Sequence, residues 1–195
     1  MLRKAILLIV LVLFIDQCLK IWIKTNMMLG QEYQIFDWFI IHFTENKGMA
    51  FGMEFGGKIG KYFLSIFRIV AIGFIAVYLK KLAAQNIKKG IIYSIALILA
   101  GAIGNMIDSA FYGLIFSESY GQTATVFQGG YAGFLQGKVV DMFYFPLINS
   151  HFPDWLPLIG GNHFIFFRPV FNVADASISV GAIAILLFYR ENFSN

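Results

Sequence analysis

The sequence predicts an all-α integral membrane protein with four transmembrane helices, a small extracytoplasmic β-rich segment between the first two, and long outer loops. Three observations predict it. The chain is 58% hydrophobic and only 13% charged, with mean hydropathy +0.71, whereas soluble domains run at about 45–50% apolar and about 25% charged. Four apolar runs approach the ~20 residues that cross a bilayer as a helix. The lysines and arginines crowd into alternate, short connecting segments, the pattern that fixes orientation in a membrane. Residues 1–195 read as a single membrane domain.

The first span covers about residues 5–23 and follows Arg3 and Lys4. A basic start and an apolar run also describe a signal peptide. Here Asp16 and Gln17, rather than small residues, precede the only cysteine, Cys18, and the run is long enough to span. It is therefore read as a retained helix. Asp16 and Lys20 are four residues apart, on one helix face, and able to pair. A lone cysteine excludes an intrachain disulfide.

Residues 24–61 form the first outer segment. The stretch 33–43, YQIFDWFIIHF, is rich in aromatic and β-branched residues and predicts a strand at the membrane interface. Residues 44–52, TENKGMAFG, suit a turn. The second span, about 62–79, carries Arg68, which needs a carboxylate or carbonyl partner at that depth. Lys80, Lys81, Lys88 and Lys89 make a short basic loop before the third span, about 90–108. That span ends in GAIGNMID, where small residues allow close helix packing and Asn105 and Asp108 share a face. In the second outer segment, 109–169, residues 109–138 read as a loop with partial structure. VVD at 139–141 follows, and then a loop over 151–168. The fourth span, about 170–189, is VFNVADASISVGAIAILLFY, with Asn172 and Asp175 near its start.

With the N-terminus inside, four spans return the C-terminus inside, and Arg3, Lys4, the four loop lysines and Arg190 fall in short cytoplasmic segments. On this topology Asp16, Gln17 and Lys20 come late in an outward span and Arg68 early in an inward one. Asn105 and Asp108 come late in an outward span, and Asn172 and Asp175 early in an inward one. Four spans thus place their polar groups in the same outer layer, as they would around one polar site. Ionisable groups at that depth are costly and mark function.

Nucleic acid is not a partner on this sequence, because no basic stripe tracks phosphates. No HExxH motif occurs, and His42, His151 and His163 are expected in loops without ligand spacing, so no metal or other cofactor is called. Carboxylates remain. Two carboxyls a few ångströms apart share a proton: the ionised one takes a proton from water, the neutral one donates to a carbonyl oxygen. That chemistry hydrolyses a peptide without metal or covalent intermediate. Spacing alone leaves open which two of Asp16, Asp108, Asp141 and Asp175 meet. A proton-coupled transporter would use the same acids as a relay, though neither inverted repeats nor broken helices are evident.

At these residues the chain resembles the lipoprotein signal peptidase (signal peptidase II) family. The matching segments are DQCLK at 16–20, FTENKGMAFG at 43–52, Arg68, GNMID at 104–108, VVD at 139–141 and FNVAD at 171–175. The family is a four-span aspartyl endopeptidase of the bacterial cytoplasmic (inner) membrane. It cuts the signal peptide from a prolipoprotein just before the diacylglyceryl-modified cysteine. The resemblance implies that Asp141 and Asp175 are the catalytic dyad. It implies that Asn46, Gly48, Asn105, Asp108, Asn172, Asp16, Lys20 and Arg68 bind or support. It further implies diacylglyceryl-modified prolipoprotein signal peptides, membrane lipid and globomycin-type inhibitors as partners. Two features depart from the family pattern. Ser109 stands where an Arg commonly follows the GNxxD acid, leaving Arg68 and Arg168 as substitutes for its charge. The segments 109–140 and 142–170 are long for the family. The aromatic stretch 33–43 is expected to cover a signal peptide entering sideways from lipid.

Overall fold

The computed structural model describes residues 1–47, 57–85, 87–151, 153–158, 160–166 and 168–189. Gly48, and the part of the expected turn that follows Lys47, lie outside the described residues, as does Arg190.

In chain order the elements are α1 (Leu2–Asn26), β1 (Glu32–Phe36), β2 (Phe39–Asn46), α2 (Gly57–Ala84), α3 (Lys89–Ile115), β3 (Val139–Tyr144), β4 (Ile148–His151), β5 (His163–Phe166), β6 (Val170–Phe171) and α4 (Val173–Tyr189). Helices α1, α2 and α3 are long and apolar enough to cross a membrane, and α4 is a shorter apolar helix. Leu7 and Phe14 on α1, Phe63, Phe74 and Val77 on α2, and Leu186 to Phe188 on α4 are exposed. Apolar surface of that extent is what lipid covers.

Helix α3 lies at the centre and packs on α1, α2 and α4. Its close approach to α4 rests on glycine. A Cβ at Gly101 would collide with the backbone carbonyl of Ala174, and one at Gly104 would lie 2.8 Å from an Asp16 carboxylate oxygen. This bears out the small-residue packing read from GAIGN.

The expected helix ends shift for local reasons. The third span does not stop at Asp108. It continues through a π-helical turn, Asp108–Tyr112, to Ile115, because nothing after Asp108 breaks a helix and its carboxylate is neutralised by a neighbour. The fourth helix does not begin at Val170. Pro169 biases the chain before it to extended backbone, Val170–Phe171 add as β6, and Asn172 caps a helix that starts at Val173.

The single strand expected over 33–43 is a hairpin, since a turn at Asp37–Trp38 splits it and Gln34 donates to Asp37 Oδ1 at 3.1 Å. Thr44–Asn46, expected in a turn, extend β2. The strands form an antiparallel sheet in the order β1-β2-β3-β6, and β4 and β5 pair separately. The segment expected as a loop over 151–168 thus contains half of a second hairpin; His151 and His163, expected in loops, lie on strands, and His42 lies on β2, within the stretch expected as strand. His151 and His163 are opposite in register.

Among the described residues the two largest apolar clusters frame the site, and a third, small one holds Met106, Ala110 and Leu135. Ala5, Ile9, Leu79, Ile92, Ala96 and Leu99 join α1, α2 and α3. Ile23, Met27, Phe43, Tyr112, Phe116, Val140 and Met142 join the end of α1, the end of α3 and the sheet. Between them, along both α1 and α3, lies a layer of buried polar side chains: Asp16, Lys20, Asp108, Asp141 and Asn172.

Candidate active site

Lys20 is the hub of this layer. It is fully buried, as are both carboxylates it touches. Its ammonium lies 2.9 Å from Asp16 Oδ2 and 2.8 Å from Asp108 Oδ2, and donates to Asn105 Oδ1 at 3.0 Å. The pairing of Asp16 with Lys20 follows from their spacing. That of Lys20 with Asp108 joins two helices.

Each of those carboxylates also fixes backbone. Asp16 Oδ1 accepts from the Ala174 amide at 2.9 Å. Asp108 Oδ2 accepts from the Val140 amide at 3.2 Å. Gln17 closes the layer, donating to Asp108 Oδ1 at 2.9 Å and accepting from the Tyr112 hydroxyl at 3.1 Å. Depth along the first span places Gln17 in this layer without a role, and sequence reasoning missed Tyr112. Tyr112 follows Asp108 by four positions, a helical spacing that could have found it had the helix been extended past Asp108.

The remaining acids meet over asparagines. Asn172 and Asp175 form a reciprocal cap on α4: the Asp175 amide donates to Asn172 Oδ1 at 2.8 Å, and the Asn172 amide to Asp175 Oδ2 at 3.4 Å. This is the capping-box arrangement built from Asn and Asp. The Asn172 side-chain Nδ2 donates to Asp141 Oδ1 at 2.6 Å and to Asn105 Oδ1 at 3.2 Å. Asn105 in turn donates to Asp175 Oδ1 at 2.8 Å. Asp141 and Asp175 are thus linked through Asn172, and through Asn172 and Asn105 together. Of the four acids left open by spacing, Asp16 and Asp108 share a cation, while Asp141 and Asp175 share amide donors.

Burial pushes the Asp141 carboxyl up, the negative charge of Asp175 adds to this, and Lys20 and the Asn172 hydrogen bond oppose it, leaving it at about 8. Asp175 sits in the first turn of α4, where the helix dipole favours negative charge. Arg68, half-buried on α2, interacts electrostatically with Asp175.

Asn46 ends β2 opposite Val139 and is exposed at the rim. Ser109, in place of the expected Arg, turns its hydroxyl back to the Asn105 carbonyl at 3.0 Å. Of the two arginines offered as substitutes, Arg68 is the one whose charge reaches the acids. Arg168 instead lines a cavity of about 300 Å³ with Glu32, His42, Tyr144 and Val170. Tyr144 is three residues from Asp141 on β3, hence on the other face of the strand.

Long apolar helices, an interior layer of ionisable groups and a small sheet define a multi-pass membrane protein with a polar centre. Comparison with known proteins says which. The family model for signal peptidase (SPase) II matches residues 8–190, and the chain belongs to that family of proteases. A lipoprotein signal peptidase of Porphyromonas gingivalis is 54% identical over 190 residues, spanning 96% of this chain and 83% of that protein. One from Amoebophilus asiaticus is 40% identical over 187 residues, 93% of this chain and 75% of that protein. A solved bacterial membrane enzyme aligns over 99% of this chain and 91% of its own, at 25% identity and a TM-score of 0.63.

Proposed function

We propose that this protein is an aspartyl endopeptidase of the bacterial inner membrane. In this reading it removes signal peptides from prolipoproteins by cleaving before the diacylglyceryl-modified cysteine, with Asp141 and Asp175 as the dyad. It crosses the membrane four times, has both termini in the cytoplasm and opens its site toward the outer face. The single observation that carries the proposal is the link between the two acids through Asn172 and Asn105, which holds them together by shared amide donors.

The environments divide the roles. Asp141 holds its proton at neutral pH because burial and its neighbour raise it to about 8. Asp175 is the member that receives the water proton, a role supported by its place in the first turn of α4 and by its interaction with Arg68. Asp175 takes a proton from water as the water oxygen bonds to the scissile carbonyl carbon. Asp141 gives its proton to the carbonyl oxygen. In the collapse the C–N bond breaks, Asp175 returns its proton to the cysteine amine, and Asp141 recovers one from the hydroxyl. Asn46 lines the rim where substrate enters, and globomycin-type inhibitors occupy the same cleft.

The test is purified protein with a diacylated prolipoprotein peptide. Asp141→Asn and Asp175→Asn are each expected to lower cleavage by about 10²–10⁴-fold, the usual worth of a positioned acid or base. A folded variant that cleaves at the wild-type rate removes that residue from the dyad.

A further inference from the structure

A second group of buried charges lies beside the site and takes no part in the proposed chemistry. Lys24, in the last turn of α1, is fully buried. Its ammonium lies 2.6 Å from Glu45 Oε1 and 2.7 Å from the Ser119 hydroxyl, with the Tyr131 ring at 4.9 Å. Lys138 approaches Glu45 Oε2 at 2.9 Å and, at the cluster's edge, Glu118 at 3.3 Å. The Lys138 amide donates to the Tyr131 hydroxyl at 2.7 Å. Burial pushes the Glu45 carboxyl up, but Lys24 and Lys138 more than offset it and hold it below the usual range.

The position of this cluster gives it meaning. Glu45 on β2 is opposite Val140, Thr44 is opposite Asp141, and Lys138 immediately precedes β3. Farther along the ladder Ile40 is opposite Tyr144 and Ile41 opposite Phe143, and the register shifts between Ile41 and Thr44. There β2 carries one more residue than β3, a bulge. Such bulges re-aim side chains near active sites. If the bulge closed and the Ile40–Tyr144 register ran through, Phe43 would be opposite Asp141 and Thr44 opposite Val140. A one-residue slip sends side chains to the other face of a sheet.

We infer that Lys24, Glu45 and Lys138 form a register clamp that holds the bulge open and so seats Asp141 against Asn172. These are positioning residues. In the slipped register Glu45 would lose its place between two ammonium groups, leaving buried charge uncompensated. Buried ion pairs contribute little net stability against apolar replacements, and their best-attested use is to specify pairing. The effect on cleavage rests on the dyad reading above; the effect on register does not.

The test uses the full chain in a Cys18→Ser background. The pair Asn46→Cys with Val139→Cys reports the observed register, and Thr44→Cys with Val140→Cys the slipped one. With the clamp intact, only the first pair oxidises to a disulfide. Adding Glu45→Gln, or Lys138→Met at the more exposed edge should Glu45→Gln fail to fold, is expected to bring in the second. In chains without reporter cysteines the same substitutions are expected to lower kcat about 10- to 100-fold with KM unchanged, as a displaced catalytic group does. Lys138→Arg keeps both register and rate. An unchanged cross-linking pattern in Glu45→Gln and Lys138→Met overturns the clamp. A shifted pattern with undiminished kcat leaves the clamp standing and overturns instead the assignment of Asp141 to the dyad.

Discussion

Asp108 on α3 accepts a hydrogen bond from the backbone amide of Val140, the residue that precedes Asp141. Asp16 on α1 holds the amide of Ala174, the residue that precedes Asp175. Lys20 sits between those two carboxylates. The proposed dyad is therefore suspended, through its neighbours' backbone, from one buried ion triad. Replacing Lys20 by Met leaves two buried carboxylates uncompensated. We expect a loss of about 3–5 kcal/mol, the cost of breaking a buried pair from one side, read by thermal unfolding in detergent, and no cleavage.

Asp141 makes stability depend on pH. Its folded carboxyl lies near 8, above the ordinary value near 4. A group raised on folding contributes stability that is complete below the unfolded value and is lost as pH rises through the folded one. Wild type is thus expected to weaken between about pH 4 and pH 8 relative to Asp141→Asn. Unfolding midpoints of the two proteins that run parallel across this range would contradict it. Cleavage by wild type is expected to fall through the same upper limit, as Asp141 loses its proton.

Asn172 caps α4 and also donates to Asp141, Asn105 and the Val140 carbonyl. Asn172→Ala should cost about 0.5–2 kcal/mol from the cap alone. Cleavage per folded molecule should fall further than this, because the acids lose their shared donor. Equal losses in the two measurements would show that the cap is its only role.

Gly101 touches the carbonyl of Ala174, inside the first turn of α4. Gly101→Val must push α4 outward, at about 1–3 kcal/mol for overpacking. Thermal unfolding should show that loss, and Gly73→Val on α2, where a Cβ meets nothing, should not.

Trp38 stacks on Phe36 at 5.4 Å and on Phe145 at 6.2 Å, and Phe39 on Phe145 at 4.8 Å. Phe143 shares the strand face of Asp141 and lies 6.1 Å from Phe39, so the rings extend from beside the proposed dyad across the sheet. If this surface covers the signal peptide, Trp38→Ser with Phe39→Ser will raise KM for a lipopeptide while leaving kcat nearly unchanged. Unaltered turnover at low substrate would count against it.

Much of the polar layer was legible because depth along a membrane helix can be counted in residues. Asp16, Lys20, Asn105, Asp108, Asn172 and Asp175 were placed together on that basis. What could not be counted was which way each helix face turns. Lys20 is adjacent in sequence only to Asp16, yet it also binds Asp108 and Asn105 from α3. Strand β3 was read only as VVD leading into Asp141, since its partners β2 and β6 lie far upstream and well downstream of it. Lys24 was counted only as the first residue of the outer segment 24–61. Its partner Glu45 is on the sheet, and Ser119 lies in a segment that read as loop.

One consequence follows from Asn172 reaching back to the strand that bears Asp141. The two acids belong to segments made at different times, and the hub that supports them was made first. A ribosome-bound chain that has exposed everything up to β6 holds Asp141 without its counterpart. If these acids are the dyad, hydrolytic competence arrives in one step, when α4 docks.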